Sequence, residues 1–181
     1  DAAGIRMRRQ RGFTLIETLT TLSLVGVLAT LSMPGLQDVL QRRRTEGVAG
    51  ELATDLQFVR SEAVARNQIL RVAFSALPDG GSCYVLHSGP AAACTCAADG
   101  PAVCRGDAEA IKTVALPNSA RATVQANVAS IAYEPRHGTS TPAATIRVTG
   151  RDGRAVHHVV NILGRVRSCA PPGGLPGYRA C

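Results

Sequence analysis

Six cysteines, four histidines and one isolated glutamate are the residues whose types and spacing could do chemistry in this 181-residue chain. Cys83, Cys94, Cys96 and Cys104 fall within 22 residues, and Cys169 and Cys181 follow near the end. Structural zinc takes its ligands from paired C-x₂₋₄-C knuckles. A C-x-C with lone outliers is a poor match, so the even count points to disulfides in an oxidising compartment and to no metal site. Connectivity stays open; the simplest pairing joins Cys169 to Cys181 and leaves the first four to pair among themselves. His157 and His158 are neighbours in an alternating run, where successive side chains face opposite sides and cannot share a metal. His87 and His137 are isolated. The chain has no P-loop and no nucleophile elbow, so it reads as a non-enzyme with no cofactor.

Glu17 is the only charged residue between Phe13 and Gln37, a run of 25. About 20 apolar residues span a bilayer as a helix, and a carboxylate inside such a run is costly enough to mark a functional position. Arg6, Arg8, Arg9 and Arg11 precede it. A secretory signal peptide is the alternative, with Ala29-Thr30-Leu31-Ser32-Met33-Pro34 supplying a cleavage site. The sequence begins at Asp1, and Met7 is a plausible start.

The remaining 144 or so residues suffice for one domain with its own core. From Asp38 to about Asn67 the pattern is helical, with Val48, Leu52, Leu56, Val59 and Ala63 as one apolar stripe. Glu46, Glu51, Asp55, Arg60 and Glu62 occupy the other positions. After residue 68 the period changes to two. Strands are expected at 69–75, 83–88, 110–116, 121–126, 130–134, 144–149 and 155–162. Asp152-Gly153 is a hairpin signal between the last two. Residues 88–107, rich in Ala, Gly, Pro and Cys, read as a disulfide-stapled loop. The Pro- and Gly-rich tail after Cys169 cannot be regular structure. The fold class is therefore α+β, one long helix followed by an antiparallel sheet domain.

Charge is uneven. Residues 1–12 carry +3, residues 13–109 carry −3 and residues 110–181 carry +7. A basic C-terminal region suits a polyanionic partner, nucleic acid or lipid headgroups, although composition alone describes a solvated arginine-rich face equally well.

Gly12-Phe13-Thr14-Leu15-Ile16-Glu17, behind a short basic leader and ahead of an apolar helix containing Pro34, resembles the processing site of type IV pilins and pseudopilins. The resemblance implies cleavage after Gly12 by prepilin peptidase and N-methylation of Phe13. It also implies a Glu17 carboxylate that pairs with the terminal amine of a neighbouring subunit during assembly. A charge pair of that kind offsets the desolvation of both groups. Pro34 would bend the helix. The implied layout is a leader (1–12), a membrane and filament-core helix (13–37) and a periplasmic domain (38–181). The protein would be anchored in the inner membrane first and carried in a pilus with other pilins afterwards.

At the other end, Val160-Asn161-Ile162-Leu163-Gly164-Arg165-Val166-Arg167-Ser168-Cys169 resembles the C-terminal motif of the GspH/FimT family. So do Ile131–Gly138 and the helix segment Leu56–Asn67. The Cys83–Cys104 insertion departs from the family pattern. In FimT-type members a Gly-Arg-x-Arg motif contacts DNA, which carries that role here to Gly164, Arg165 and Arg167. In an extended segment the two arginines would point the same way, about 7 Å apart. That spacing suits phosphates along one backbone, each guanidinium binding bidentately. Arg151, Arg154 and Arg179 are further candidates, and a Cys169–Cys181 bridge would tie down the tail bearing Tyr178 and Arg179. The implied function is a minor pilin that binds double-stranded DNA for uptake in natural transformation. The alternative within the family is a GspH-like pseudopilin of type II secretion, or a subunit that primes pilus assembly, with no DNA binding.

Overall fold

The computed structural model describes residues 12–97 and 101–181, without the side chains of residues 31–34. Arg6, Arg8, Arg9, Arg11 and the side chain of Pro34 therefore lie outside the described residues. The chain divides into two compact units, residues 1–39 and 40–181.

In the first unit the helix α1 (Leu15–Ala65) begins. Thr14 caps it: its hydroxyl oxygen accepts from the Glu17 amide at 3.3 Å, in the Thr-x-x-Glu arrangement of a capping box. Phe13, Leu15, Ile16, Leu19, Leu22 and Leu24 are all exposed. Among the described residues no single helix is long and apolar enough to cross a membrane, whereas 15–30 and 35–65 together pass by length and composition.

In the second unit, α1 buries Thr45, Ala49, Leu52, Leu56, Val59 and Ala63, spaced four and three apart as one helical stripe requires. Ala49 takes the central place expected of Val48, which is only partly buried. Asn67, at φ 50°, ends the helix. The Gln68 amide reaches back to the Ala63 carbonyl at 3.1 Å and the Asn67 amide to that of Val64 at 3.2 Å, a Schellman closure with asparagine in the left-handed position.

The strands are β1 (Leu70–Ala76), β2 (Ser82–Ser88), β3 (Cys94–Cys96), β4 (Ala102–Cys104), β5 (Ala110–Leu116), β6 (Ala122–Ala126), β7 (Ser130–Tyr133), β8 (Ser140–Thr141), β9 (Ala144–Gly150), β10 (Ala155–Val160) and β11 (Val166–Cys169). They form a five-stranded sheet in the order β5-β2-β1-β7-β8, a four-stranded sheet β11-β10-β9-β6 and the ribbon β3-β4. All ladders are antiparallel. The α+β class is as expected. One core joins the helical stripe to both larger sheets, through Val72, Leu86 and Ile131 on one and Ile146, Val148 and Val156 on the other.

The segment expected as a loop contains β3 and β4. Cys94–Cys104 closes this ribbon and Cys83–Cys96 ties it over the outer face of β2, burying Val85 and Leu77 in a second cluster. Cys169–Cys181 holds the tail to β11, and Ala180 bridges Ala170 beside it. Asp55 also differs from expectation. It is buried, where it accepts from the Tyr84 hydroxyl at 2.7 Å and pairs with Lys112 at 2.8 Å.

Candidate nucleic-acid interface

Strand β10 leads at its end into a five-residue turn, 161–165, and returns as β11. Asn161 breaks the apolar alternation and organises the turn. Its Oδ1 accepts from the Leu163 amide at 3.1 Å and the Arg165 amide at 3.0 Å. The Gly164 amide donates to the Asn161 carbonyl at 2.8 Å. This side chain-to-backbone pairing is what asparagine offers a chain leaving a ladder, so β10 stops at Val160 and not at Ile162.

Gly164 has φ +71° and is buried. A Cβ there would strike the Gly138 carbonyl oxygen and come within 2.9 Å of Arg60 Nε. Gly138, at φ +62°, faces the same arginine. Arg60 Nε–H donates to the Gly138 carbonyl at 2.9 Å. Ser140 closes the other side: its hydroxyl donates to the Asn161 carbonyl at 2.6 Å and its amide to that of Ile162 at 3.0 Å. Two glycines, one on each loop, thus let the backbones touch and lock the 161–165 turn to α1. The resulting groove, about 680 Å³, is lined by Gln57, Arg60, Ser61, His137 and Arg165 among others.

Beyond the turn, Val166 packs toward the core, and the Ser168 hydroxyl lies 2.9 Å from His158 Nδ1. Arg165 and Arg167 therefore fall on the outward side, and both are exposed. Among the described residues neither guanidinium has a carboxylate partner. Register extends this face across the sheet. Arg167 lies opposite Val159, which lies opposite Thr145; in the next row His157 lies opposite Arg147, and Arg147 opposite Gln125. Arg147 Nε–H donates to His157 Nε2 at 3.1 Å. Burial, with the Arg147 charge beside it, holds the His157 imidazole below its ordinary range. His158 points the other way, into the core, where burial pushes it down to about 4. The two histidines face opposite sides as alternation requires.

Arg151 and Arg154 sit elsewhere. Arg151 and Arg154 belong to the β9–β10 turn, at the opposite end of β10, which at six residues spans roughly 20 Å. Gly150 of that turn meets the Thr45 hydroxyl, while Gly164 meets Arg60, roughly 22 Å further along the helix. Arg154 Nε lies 3.5 Å from Asp152. Arg179 is exposed at the far end of β11, where its carbonyl accepts from the Ala170 amide. Gly164, Arg165 and Arg167 are thus together, Arg151 and Arg154 are at the other end of β10, and Arg179 lies beside Ala170, three residues past Arg167.

Arg60, in the groove, and Arg147, on the outward face of β9, add to this arginine-bearing surface although the sequence did not single them out. Arg60 needs the tertiary contact between loops, which no local pattern encodes. Arg147 depended on turn length: a two-residue turn at Asp152-Gly153 would set Val148 opposite His157, whereas the observed three-residue loop 151–153 sets Arg147 there. At the other end of the chain, Gly12, Phe13 and Glu17 are exposed.

Comparison with known proteins covers most of the chain. Residues 48–164 match the family described as type II transport protein GspH, and residues 7–33 match the prokaryotic N-terminal methylation motif. The type IV major alpha-pilin and fimbrial protein Q of Moraxella bovis are each 43% identical over 47 residues, which is 26% of this chain. The match spans 30% of the length of those relatives. Among solved structures, the type IV minor pilin FimU of Pseudomonas aeruginosa superimposes with a TM-score of 0.51, over 76% of this chain and 96% of that one. At 20% identity this is a likeness of fold.

Proposed function

The chain belongs to the GspH family, the minor pilins and pseudopilins of GspH/FimT type, and from that premise we propose that it is a minor type IV pilin that binds duplex DNA through the 161–167 hairpin. The observation that carries this reading is an anchored turn presenting two outward arginines, Arg165 and Arg167, with no carboxylate partner among the described residues. Guanidinium contacts to phosphate position a protein on DNA without reading sequence, and their affinity falls steeply with salt. Uptake of arbitrary DNA in natural transformation requires contacts that do not read sequence. Arg147 and Arg60 widen the positive surface on either side of the hairpin.

The N-terminal motif supports a matching route to the cell surface. Prepilin peptidase cuts between Gly12 and Phe13, and Phe13 becomes a methylated terminal amine. Glu17 pairs with the amine of a neighbouring pilin when the helix leaves the inner membrane for the filament. In this reading the chain is a substrate of the processing enzyme and performs no chemistry itself.

The direct test is a titration of the full chain, purified in detergent, against a short fluorescent duplex. Arg165→Gln with Arg167→Gln is expected to weaken binding about 100-fold, two charge-assisted contacts being lost. An unchanged affinity would remove the DNA role and leave a GspH-like pseudopilin or an assembly-priming subunit, in keeping with the type II transport description of its family.

A further inference from the structure

Ile162 and Leu163, at the tip of the 161–165 turn, are 66% and 51% exposed. Ile162 is the most exposed large hydrophobic residue of unit 40–181 among those described. A single exposed aliphatic side chain needs no explanation. Two in succession do when their backbone is as fixed as this one. The Leu163 amide is held by Asn161, the Ile162 carbonyl by Ser140, and the next residue, Gly164, is wedged against Gly138 and Arg60. The turn cannot fold its apolar tip back onto the domain. It is a rigid apolar point, followed at once by Arg165 and Arg167 and flanked by the neighbouring loop with Arg136, His137 and Glu134.

Resting on the DNA-binding reading above, we infer that Ile162 and Leu163 form an apolar wedge that enters the minor groove and partly unstacks a base step, bending the duplex that Arg165 and Arg167 hold by its phosphates. Proteins that bind the minor groove use aliphatic side chains this way, beside arginines that neutralise the adjoining backbone. The cost of unstacking is lowest at flexible pyrimidine–purine steps. Selectivity would therefore follow deformability and not base identity. The arginines beside the tip match the phosphates that flank a groove, and the occupant is assigned as duplex DNA. The wedge also lies beside Arg60 and Gly138, twenty residues and roughly 30 Å along α1 from Leu40, the first residue of this unit. A neighbouring pilin subunit is the remaining occupant and is an outcome of the test.

The experiment compares the full chain in detergent with I162S/L163S and R165Q/R167Q, using a duplex of about 20 base pairs labelled at both ends for energy transfer. The wild-type chain is expected to bind and shorten the end-to-end distance, more for a duplex with a central TA step than for an A-tract. I162S/L163S is expected to bind about tenfold more weakly with an unchanged salt dependence and no shortening. Both side chains are exposed, so an unchanged melting temperature will accompany that result. If I162S/L163S binds and bends DNA like the wild type, the wedge is wrong even though the hairpin binds DNA. The same result with loss of pilus incorporation would assign the pair to a neighbouring pilin. If R165Q/R167Q is also without effect, the DNA reading itself fails.

Discussion

The two turns at the ends of β10 have nearly the same composition and opposite designs. Arg151-Asp152-Gly153-Arg154 and Gly164-Arg165-Val166-Arg167 each combine a left-handed glycine with two arginines. In the first, Asp152 sits 3.5 Å from Arg154, its Oδ1 accepts from the Arg154 amide at 3.2 Å, and a Cβ on Gly153 would meet open space. In the second there is no acid, and a Cβ on Gly164 would strike the Gly138 backbone. The first turn is a hairpin that neutralises part of its own charge. The second is a fitted joint whose charge is left for something else. Arginine count alone does not distinguish them; the neighbours of the glycine and the carboxylate do.

The largest way to break this comparison is at the glycines. Gly164→Ala is expected to cost about 4 kcal/mol of stability, because positive φ and a backbone collision act together. Gly153→Ala should cost about 1 kcal/mol, the left-handed backbone being the only penalty. Urea midpoints of the two variants measure both, and equal costs would show that the joint is not fitted.

Acid probes the strand that joins the turns. His158, on β10 and bonded to Ser168 on β11, has its folded pKa pushed down to about 4 by burial, against about 6.5 when unfolded. A histidine with a depressed folded pKa binds its proton in the unfolded state first. Its contribution is therefore fully present above pH 6.5 and is lost as pH falls toward 4, by roughly 3 kcal/mol. Thermal melts of wild type and His158→Gln between pH 7 and pH 4 should diverge over that window, the variant losing less. Parallel curves would place the titrating group elsewhere.

A smaller effect sharpens the electrostatic half. If Asp152 is what keeps the first turn out of DNA binding, Asp152→Asn should raise affinity at low salt by about two- to threefold, one local charge being worth little at an exposed site. No increase would mean that position, and not charge, excludes that turn.

How much of this was legible in the sequence depended on how local the determinants are. The stripe Leu52, Leu56, Val59 and Ala63 and the strands β1, β2, β5, β6, β7, β9 and β10 follow from periodicity, which is a property of neighbours. The Cys169–Cys181 bridge followed from simple pairing. The ribbon β3-β4 was hidden because its short strands lie in Ala, Gly and Cys, with disulfides and not β-propensity fixing them. Asp55 looked like a solvent position because its partners, Tyr84 and Lys112, arrive from other strands. At the interface, Gly164 and its two arginines could be read as a motif. That Arg60 and Gly138 lock the turn, and that Arg151 and Arg154 are at the other end of β10, depends on sheet order, which alternation does not encode.

The central claim is that the outward arginines of one turn, and not those of the other, hold phosphate. It is tested by titrating the full chain with a short duplex at two salt concentrations, comparing R165Q/R167Q with R151Q/R154Q. Two lost phosphate contacts should flatten the salt dependence of R165Q/R167Q by about 1.8 in log–log slope, while R151Q/R154Q stays within about threefold of wild type in affinity, as expected of charges outside the contact. Equal losses in both variants, or none in either, would contradict it.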